Sequence, residues 1–495
     1  MAVYAVVSHL KILRLFLRIV GVVTQLLISI LTYRTFRKFV TENTAFVIAV
    51  FYYNIIPKNS TVPDFSNMLL WFSTLVFLSF LEFSLNRGTY ARRPAFFLIA
   101  AGVSTSLLVL SYPTCIFVVL PGCIGIWLLS AAGNRLKNLL IYLGTCGVCG
   151  LGWLAYFLCH MSFRQFLDGL SEMLTDGSHD VGLLGKLKDN LSCLGETFPY
   201  LLVALVIALV FWCFFRFICR KNYRFFLLLI ISLILEQLFV WYRLQKHIEY
   251  PGFVYLLFPL WGIYCYFRRK KSSGELAPVY KALFWFGSIT SLFLLLAAFT
   301  ASNTMLYESA DYMAIGMLVS LCYAERETLE SPVFWKSFVL LFVGLAVIHK
   351  GFLLYNIYGH DTIFVTRQKA EEGPMAGIYG RYSDGYEYNI RGRLLDEFIP
   401  RGSKVLIASH KSIMYLQEDY VICNYSTIST PTIDERLFQY WTLYPDKVPE
   451  YIVWDKGSEG YIATNPEVNA RLVENAELLV DDEGLLIYRL PANPY

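Results

Sequence analysis

The stretch "LRLFLRIVGVVTQLLISILTYRTFRKF", residues 13 to 39, places a long apolar run between two arginines and a basic turn. About 20 predominantly apolar residues are enough for a helix to cross the hydrocarbon core of a bilayer. The rest of the chain has the same character, because 56% of its 495 residues are hydrophobic and only 16% are charged. Soluble domains have roughly 25% charged residues, so we predict a membrane protein. Its formal net charge of +4 does not indicate nucleic-acid binding.

Similar apolar segments recur until about residue 358. We predict a multi-pass α-helical membrane protein with about 12 spans, centred near residues 23, 50, 76, 103, 123, 148, 207, 233, 259, 290, 318 and 345. Farther on, short β-branched runs over residues 404–409, 420–424, 451–455 and 485–490 alternate with helical patterns over 388–399, 433–444 and 466–476. This alternation favours a small α/β domain with some parallel strands. The predicted transmembrane region is therefore 1–360, and the predicted α/β domain is 361–495.

Lysine and arginine residues collect in alternate loops, which the positive-inside rule assigns to the cytoplasm. These residues are Arg34, Arg37, Lys38, Arg87, Arg92, Arg93, Arg135, Lys137, Arg216, Arg220, Lys221, Arg224, Arg268, Arg269, Lys270 and Lys271. Three intervening loops, "PKNSTVPDFSN", "SYPT" and "ASNTMLYES", hold one lysine between them. Asp64 and the α/β domain are therefore predicted on the outer face. The N-terminus would also be outside, where Arg14 and Arg18 are disfavoured, so we expect that a preceding span is absent from this chain.

Asp64 follows a proline at the outer end of an apolar segment, in "PDFSN". An ionisable group at a membrane boundary is a functional candidate, because it would be costly one turn deeper. A carboxylate there can act as a general base, bind a cation or orient a sugar hydroxyl. The alternative is a helix N-cap, in which aspartate accepts hydrogen bonds from free backbone N–H groups. The two roles are compatible, and both stay open.

A second candidate site lies in "WYRLQKHIEYPGFVYLLFPLW", residues 241 to 261. Arg243, Lys246, His247 and Tyr250 gather on the predicted outer face, where the orientation rule gives no reason for positive charge. Cations and a phenol at headgroup level suit a phosphate or pyrophosphate group, and ordinary interfacial anchoring is the alternative. Another pair of cations, Arg14 and Arg18, lies one turn apart on one helix face. This pair suits a lipid phosphate, with snorkelling to the headgroups as the alternative.

Other features of the sequence suggest metal ions only weakly. Asp176, His179 and Asp180 can bind a divalent cation, although a solvated loop is the commoner role for such residues. Cys146 and Cys149 in "TCGVCG" have metal-ligand spacing but lie among small residues inside a predicted span, where a packing face is the better interpretation. We predict no metal site or disulfide there. The helix predicted from residue 163 is amphipathic and suits the outer leaflet surface.

Several stretches, taken in order, resemble the C-type-fold (GT-C) polyprenyl-phosphate-sugar glycosyltransferases, the clan of protein mannosyltransferases and aminoarabinose transferases. Residues 13–39 are similar to an arginine-led span that ends in a basic turn, and residues 45–83 to a pair of spans with an acidic residue between them. Residues 92–129 resemble the hairpin that follows, and residues 242–264 the basic-Tyr-Pro entry to a later span.

The resemblance implies a polyprenyl-phosphate-linked sugar as donor and a glycan or lipid acceptor in the cell envelope. It also implies a location among the lipids of a bacterial plasma membrane. By the same resemblance, Asp64 would lie close to the catalytic centre, and the cations near residue 243 would face the carrier phosphate. The family's first span and first outer loop, with its acidic residue, have no counterpart before Arg14. Tyr112 stands where many relatives have a lysine. We expect impaired transfer from this chain alone and activity from a longer protein that begins upstream.

Two other functions stay open at this point. A polysaccharide polymerase would depend on arginines in two large outer loops, whereas one such loop precedes the predicted α/β domain. A lipid-linked glycan flippase or other transporter would have charged residues along the middle of its spans. The charges here gather at the span ends, and Glu236 and Lys350 are the nearest exceptions.

Overall fold

The structure, a computed structural model, describes the greater part of the chain. The described residues are 13–55, 61–86, 92–174, 183–221, a few positions between 228 and 235, 259–268, 270, 278–300, 314–328, 367–371, 373–409, 412–425, 432–433, 435–458, 463–464 and 466–491. The chain divides into two compact units, one of Val20–Ile363 and one of Phe364–Tyr495 grouped with Met1–Ile19. The boundary predicted between residues 360 and 361 falls outside the described residues and stays a prediction.

The first unit is helical. Its helices are α1 (Leu13–Phe36, of which the part up to Ile19 is grouped with the other unit), α2 (Glu42–Asn54), α3 (Phe65–Leu85), α4 (Arg92–Ser111), α5 (Val119–Leu129), α6 (Arg135–Leu158), α7 (Phe163–Leu174), α8 (Leu183–Cys213), α9 (Pro278–Ala282), α10 (Thr290–Thr300) and α11 (Ala314–Thr328). A 3-10 turn over Pro113–Val118 leads into α5, and π-helical turns follow α8 and join α9 to α10. Residues 259–268 are also helical.

Five described segments are long and apolar enough to cross a membrane: Leu15–Phe36, Phe65–Leu85, Pro94–Ser111, Ala132–Leu158 and Pro278–Thr300. They match the spans predicted near residues 23, 76, 103, 148 and 290, so the predicted multi-pass helical architecture is confirmed. The spans predicted near residues 50, 123, 207 and 318 fall on shorter apolar helices or helical segments. Those near 233, 259 and 345 lie wholly or mostly outside the described residues, so the number of twelve stays a prediction.

Helix α3 is the most deeply buried of the five segments. It packs along α4, which in turn packs on α6. Near the middle of the bundle, the Phe80 ring stacks on Phe286 at 4.4 Å and meets the edge of Tyr142 at 5.2 Å. A Cβ atom on Gly125 would lie 2.3 Å from the Phe286 ring, so α5 contacts that ring through a glycine. Close packing on several sides therefore fixes α3 within the bundle.

The second unit is an α/β domain. Its elements are β1 (Arg367–Lys369), β2 (Tyr379–Arg381), α12 (Tyr382–Phe398), β3 (Lys404–Ala408), β4 (Val421–Ile422), β5 (Thr432–Ile433), α13 (Glu435–Leu443), β6 (Tyr451–Asp455), β7 (Ala463–Thr464), α14 (Pro466–Val473), β8 (Glu477–Asp482) and β9 (Leu485–Arg489). The main sheet has the order β4-β3-β6-β9-β8, with β3 parallel to β4 and β6, and β9 antiparallel to β6 and β8. The four predicted strands, the three predicted helices and the parallel pairing are confirmed.

Both faces of this sheet are covered. Val405 and Ile407 of β3 pack with Leu395 of α12, while Leu406 packs on the other face with Leu437 of α13. Strands buried on both faces consist of nearly continuous apolar residues, which is why β3 and β6 were predictable from short apolar runs. Strand β8 was missed, because "ELLVDD" starts and ends in acidic residues at the edge of the sheet.

Candidate functional site

Asp64 is the N-cap of α3. Its Oδ1 atom accepts a hydrogen bond from the Asn67 backbone N–H at 2.8 Å and another from the Asn67 side-chain amide at 2.9 Å. The predicted capping role is therefore confirmed. Asp64 is partly exposed, and Oδ2 accepts no hydrogen bond from any residue that the structure describes. Capping therefore occupies one carboxylate oxygen and leaves the other available for a further role.

The segment that leads to Asp64 lies directly against α1. A Cβ atom on Gly21 would lie 1.9 Å from the Thr61 carbonyl oxygen, so the backbone of residue 61 can approach the helix only because position 21 is glycine. The Asp64 N–H then donates to the Val62 carbonyl at 2.7 Å and closes a tight turn. Gly21 therefore sets where the chain enters α3.

Gln25 connects three helices one turn farther along α1. Its buried side-chain amide donates to the carbonyls of Tyr52 and Ile55, each at 3.0 Å, and its oxygen accepts from the Trp71 indole N–H. Helix α2 has 13 residues, so it rises only about 20 Å, which is less than the thickness of the hydrocarbon core. The carbonyls at its end need partners within the protein; Gln25 is one for Ile55 and a second, beside the Ile55 N–H, for Tyr52.

Sequence reasoning missed both Gly21 and Gln25. A signal for Gln25 was present, because an amide inside an apolar span needs a hydrogen-bond partner. No comparable signal marked Gly21 as a point of close backbone approach.

The end of α3 that carries Asp64 also gathers the ends of two other helices. The Phe65 ring stacks on Tyr112, just after α4, at 6.0 Å and an interplanar angle of 25°. Thr114 in the following turn donates to the Ala297 carbonyl near the end of α10 at 3.0 Å. The helix ends beside the loops "PKNSTVPDFSN", "SYPT" and "ASNTMLYES" therefore lie at one end of the bundle. The assignment of that end to the outer face stays a prediction.

A second carboxylate lies toward the opposite end of α3. Glu82 forms a salt bridge with Lys38 and accepts hydrogen bonds from Thr35 at 2.9 Å and from the Asn86 amide at 3.0 Å. The Glu82 side chain is 11% exposed and that of Lys38 is 46% exposed. Sequence reasoning missed this cluster, because the two partners are 44 residues apart. Glu82 lies about 27 Å from Asp64 along the helix axis.

Most of the predicted phosphate-binding residues fall outside the described part of the chain. Arg243, Lys246, His247 and Tyr250 lie there, as do the cation candidates Asp176, His179 and Asp180. Whether the first four share a cavity with Asp64 is therefore untested. Arg14 and Arg18 belong to α1, and Arg18 is exposed. Positions 14, 18 and 21 recur at helical spacing along one face of α1.

The first cysteine in "TCGVCG", Cys146, belongs to a helix interface. The Cys146 thiol donates to the Gly102 carbonyl of α4 at 3.6 Å, and a Cβ atom on Gly102 would lie 2.7 Å from Thr145. This contact supports the interpretation as a packing face. Among the residues that the structure describes, no group of three His, Cys, Asp or Glu side chains is placed to hold a metal ion.

Comparisons with known proteins leave the family open. No protein-family model matches the sequence, and no curated protein is similar to it. A solved structure of the Archaeoglobus fulgidus oligosaccharyltransferase, in complex with zinc and sulfate, aligns with a TM-score of 0.41 at 12% identity. The alignment covers 97% of this chain but 62% of that protein, so this chain spans less than two thirds of its length. A similarity this weak carries no argument about function, which must come from the residues themselves.

Proposed function

We propose that this protein is a membrane glycosyltransferase that transfers a sugar from a polyprenyl-phosphate carrier to an acceptor at the outer face, with Asp64 as the general base. The observation that carries the proposal is the state of the Asp64 carboxylate. One oxygen is held by the Asn67 N–H groups, and the other accepts no hydrogen bond from the described residues. A carboxylate that is both fixed in position and partly exposed is suited to accept a proton from a bound hydroxyl.

The reaction requires a base that accepts the proton of the acceptor hydroxyl and cations that stabilise the departing phosphate. An acceptor hydroxyl attacks the anomeric carbon of the donor sugar and loses its proton to Asp64, while the bond to the carrier phosphate breaks. Cations are needed where negative charge develops on the departing phosphate. The candidates for that role are Arg243, Lys246, His247, Arg14 and Arg18, with the Tyr250 phenol as a hydrogen-bond donor.

The membrane location supports this assignment of roles. A polyprenyl carrier is confined to the bilayer, whereas its sugar phosphate lies at the headgroup level. At the Asp64 end of the bundle α3 begins and α4 and α10 end, and the loop sequences next to these helix ends carry little positive charge. We infer that this end faces outward and presents Asp64 to a carrier headgroup in the outer leaflet.

The surroundings of Glu82 favour a transferase over a transporter. A flippase or transporter needs charged groups that line the middle of its spans. Glu82 is a buried carboxylate within a described span, but it lies near the helix end and is already paired with Lys38. A neutralised pair of this kind is suited to hold two helices together.

The test is Asp64→Asn in the full-length protein reconstituted into vesicles with polyprenyl-phosphate-linked sugars and envelope glycolipids as acceptors. Asparagine caps helices as well as aspartate does, so the variant removes the base and keeps the cap. We expect transfer to fall by about 10²- to 10⁴-fold with insertion and folding unchanged. Asp168→Asn on the exposed face of α7 is the matched control. Unchanged transfer by Asp64→Asn would leave Asp64 as a helix cap only, and a full-length wild-type protein inert toward every donor would refute the transferase itself.

A further inference from the structure

The chain between α6 and the apolar part of α8 exposes two apolar stripes that the proposed transfer reaction does not use. On α7, Phe163 is 58% exposed and Leu167 is 46% exposed. On the first part of α8, Leu184, Leu187 and Leu191 are 81%, 44% and 57% exposed. We call these five residues the loop stripes. Full exposure of such side chains to water costs about 1.5–3 kcal/mol each. Burial of the loop stripes against an apolar surface would therefore be favourable.

Helix α7 turns back along α6 instead of continuing away from it. Ser162 and Gln165 form a capping box, in which the Ser162 N–H donates to the Gln165 side chain at 2.8 Å and the Gln165 N–H to the Ser162 hydroxyl at 3.2 Å. The Phe166 ring then lies 5.9 Å from Trp153 and 6.1 Å from Phe157. Trp153 is five residues before the end of α6, about 8 Å back along its axis. The apolar side of α7 is therefore fixed at the level of Trp153.

Exposed apolar residues on α6 indicate that lipid surrounds this part of the molecule. Val148 and Leu151 of this span are 71% and 67% exposed, and in a membrane such residues face lipid. Tryptophan is enriched where acyl chains meet headgroups, so the level of Trp153 matches the membrane interface. Arg164 and Asp168 lie about 100° and 140° around α7 from Phe163, approach each other to 4.0 Å and are both at least half exposed. Helix α7 thus presents an apolar side at lipid depth and a charged side away from it.

Helix α8 is too long to serve only as a span. It has 31 residues, its apolar part is Leu202–Ile218 including the π-helical turn, and it contains Pro199. About 20 residues suffice to cross the bilayer, and 20 residues counted back from Ile218 reach Pro199. The first part, up to Phe198, therefore extends beyond the hydrocarbon core. Positions 184, 187 and 191 lie within about 60° of one another around the helix.

We propose that α7 and the first part of α8 both lie on the membrane surface with the loop stripes buried among phospholipids. A proline inside a helix permits the bend that this requires of α8. An amphipathic helix with leucine and phenylalanine on one side and charged residues on the other binds in the plane of the interface. This inference does not depend on the identity of the reaction or on which membrane face is outer.

The test is photocrosslinking of the full-length protein in phospholipid nanodiscs. A benzophenone amino acid replaces Phe163 or Leu167 on α7, and Leu187 or Leu191 on α8, and lipid adducts are counted by mass spectrometry. The same probe at Arg164 and Asp168 is the matched control on the charged side of α7. At Val148 it is the positive control for a lipid-facing position and for correct insertion.

We expect lipid adducts at the stripe positions to be at least about fivefold more abundant than at Arg164 and Asp168, and comparable to those at Val148. Equal yields on the two sides of α7, with Val148 labelled normally, would overturn the proposal for α7. Absence of adducts at Leu187 and Leu191 would overturn it for α8. Crosslinks from either stripe to a second copy of the protein would also overturn it, because the stripe would then be a subunit interface.

Discussion

Helix α3 carries a carboxylate toward each of its ends, and the two have opposite surroundings. Glu82 is nearly buried and receives donors from Lys38, Thr35 and Asn86. Asp64 is partly exposed and, among the described residues, accepts hydrogen bonds from Asn67 alone. Among the described residues, the same functional group therefore has several donors at one end of the helix and one donor residue at the other.

The difference separates a structural carboxylate from a candidate catalytic one. A buried charge is tolerated when an opposite charge and several donors surround it, and those partners leave a substrate little room to reach it. A general base needs an oxygen that a substrate can reach. The comparison supports a structural role for Glu82 and is consistent with the chemical role proposed for Asp64, and substitutions around each end can test it.

The largest effect on stability is expected from Gln25→Leu, at the Asp64 end. Leucine has a similar volume but leaves the carbonyls of Tyr52 and Ile55 and the Trp71 indole N–H without this partner. A buried polar group that loses its partner costs about 1–3 kcal/mol, and we expect a total loss of about 3 kcal/mol. Unfolding of the purified protein by SDS titration in mixed micelles measures it.

The control for this variant is Ser111→Ala. The Ser111 hydroxyl also donates to a backbone carbonyl, that of Leu107 at 2.8 Å, but it is exposed. We expect this change to stay within about 0.5 kcal/mol. If Gln25→Leu costs no more than Ser111→Ala, the bridge between α1, α2 and α3 does not support the Asp64 end.

The next effect is expected from Lys38→Met, at the other end of α3. Removal of one partner from a buried ion pair leaves an uncompensated charge and costs about 3–5 kcal/mol. Because the Lys38 side chain is 46% exposed, we expect a smaller loss of about 2 kcal/mol. The double variant Lys38→Met/Glu82→Gln should recover most of this loss in the same titration. No recovery would mean that the charge on Glu82 is not what Lys38 stabilises.

These two ends also show what was predictable from sequence. The cap was predictable because "PDFSN" before an apolar run is a local signal, and the doubly buried strands β3 and β6 were predictable for a similar local reason. Glu82 and Gln25 act through partners 44 and 27 residues away. Those pairings depend on how helices pack, and a single sequence does not record that packing locally.

A smaller effect is expected from Gly21→Ala, which acts on the chain that leads to Asp64. The added Cβ would lie 1.9 Å from the Thr61 carbonyl oxygen, so the backbone must shift, at a cost of about 1–2 kcal/mol. Hydrogen exchange of residues 61–68 should accelerate. Gly144→Ala on α6, where a Cβ meets nothing within 4 Å, is the control and should leave this exchange unchanged. Equal exchange in the two variants would show that Gly21 does not position the Asp64 turn.

The smallest effect on stability separates the two roles of Asp64. Asp64→Ala removes the acceptor for the Asn67 N–H groups and should cost about 1 kcal/mol, whereas Asp64→Asn keeps a capping oxygen and should cost at most a few tenths. Both variants remove the base, so transfer should fall to the same low level in both. The alternative outcome is that sugar transfer parallels stability, so that Asp64→Asn is active and Asp64→Ala is impaired. In that case the carboxylate serves α3 only as a cap. The contrast with Glu82 would then concern structure alone, because neither carboxylate would take part in chemistry.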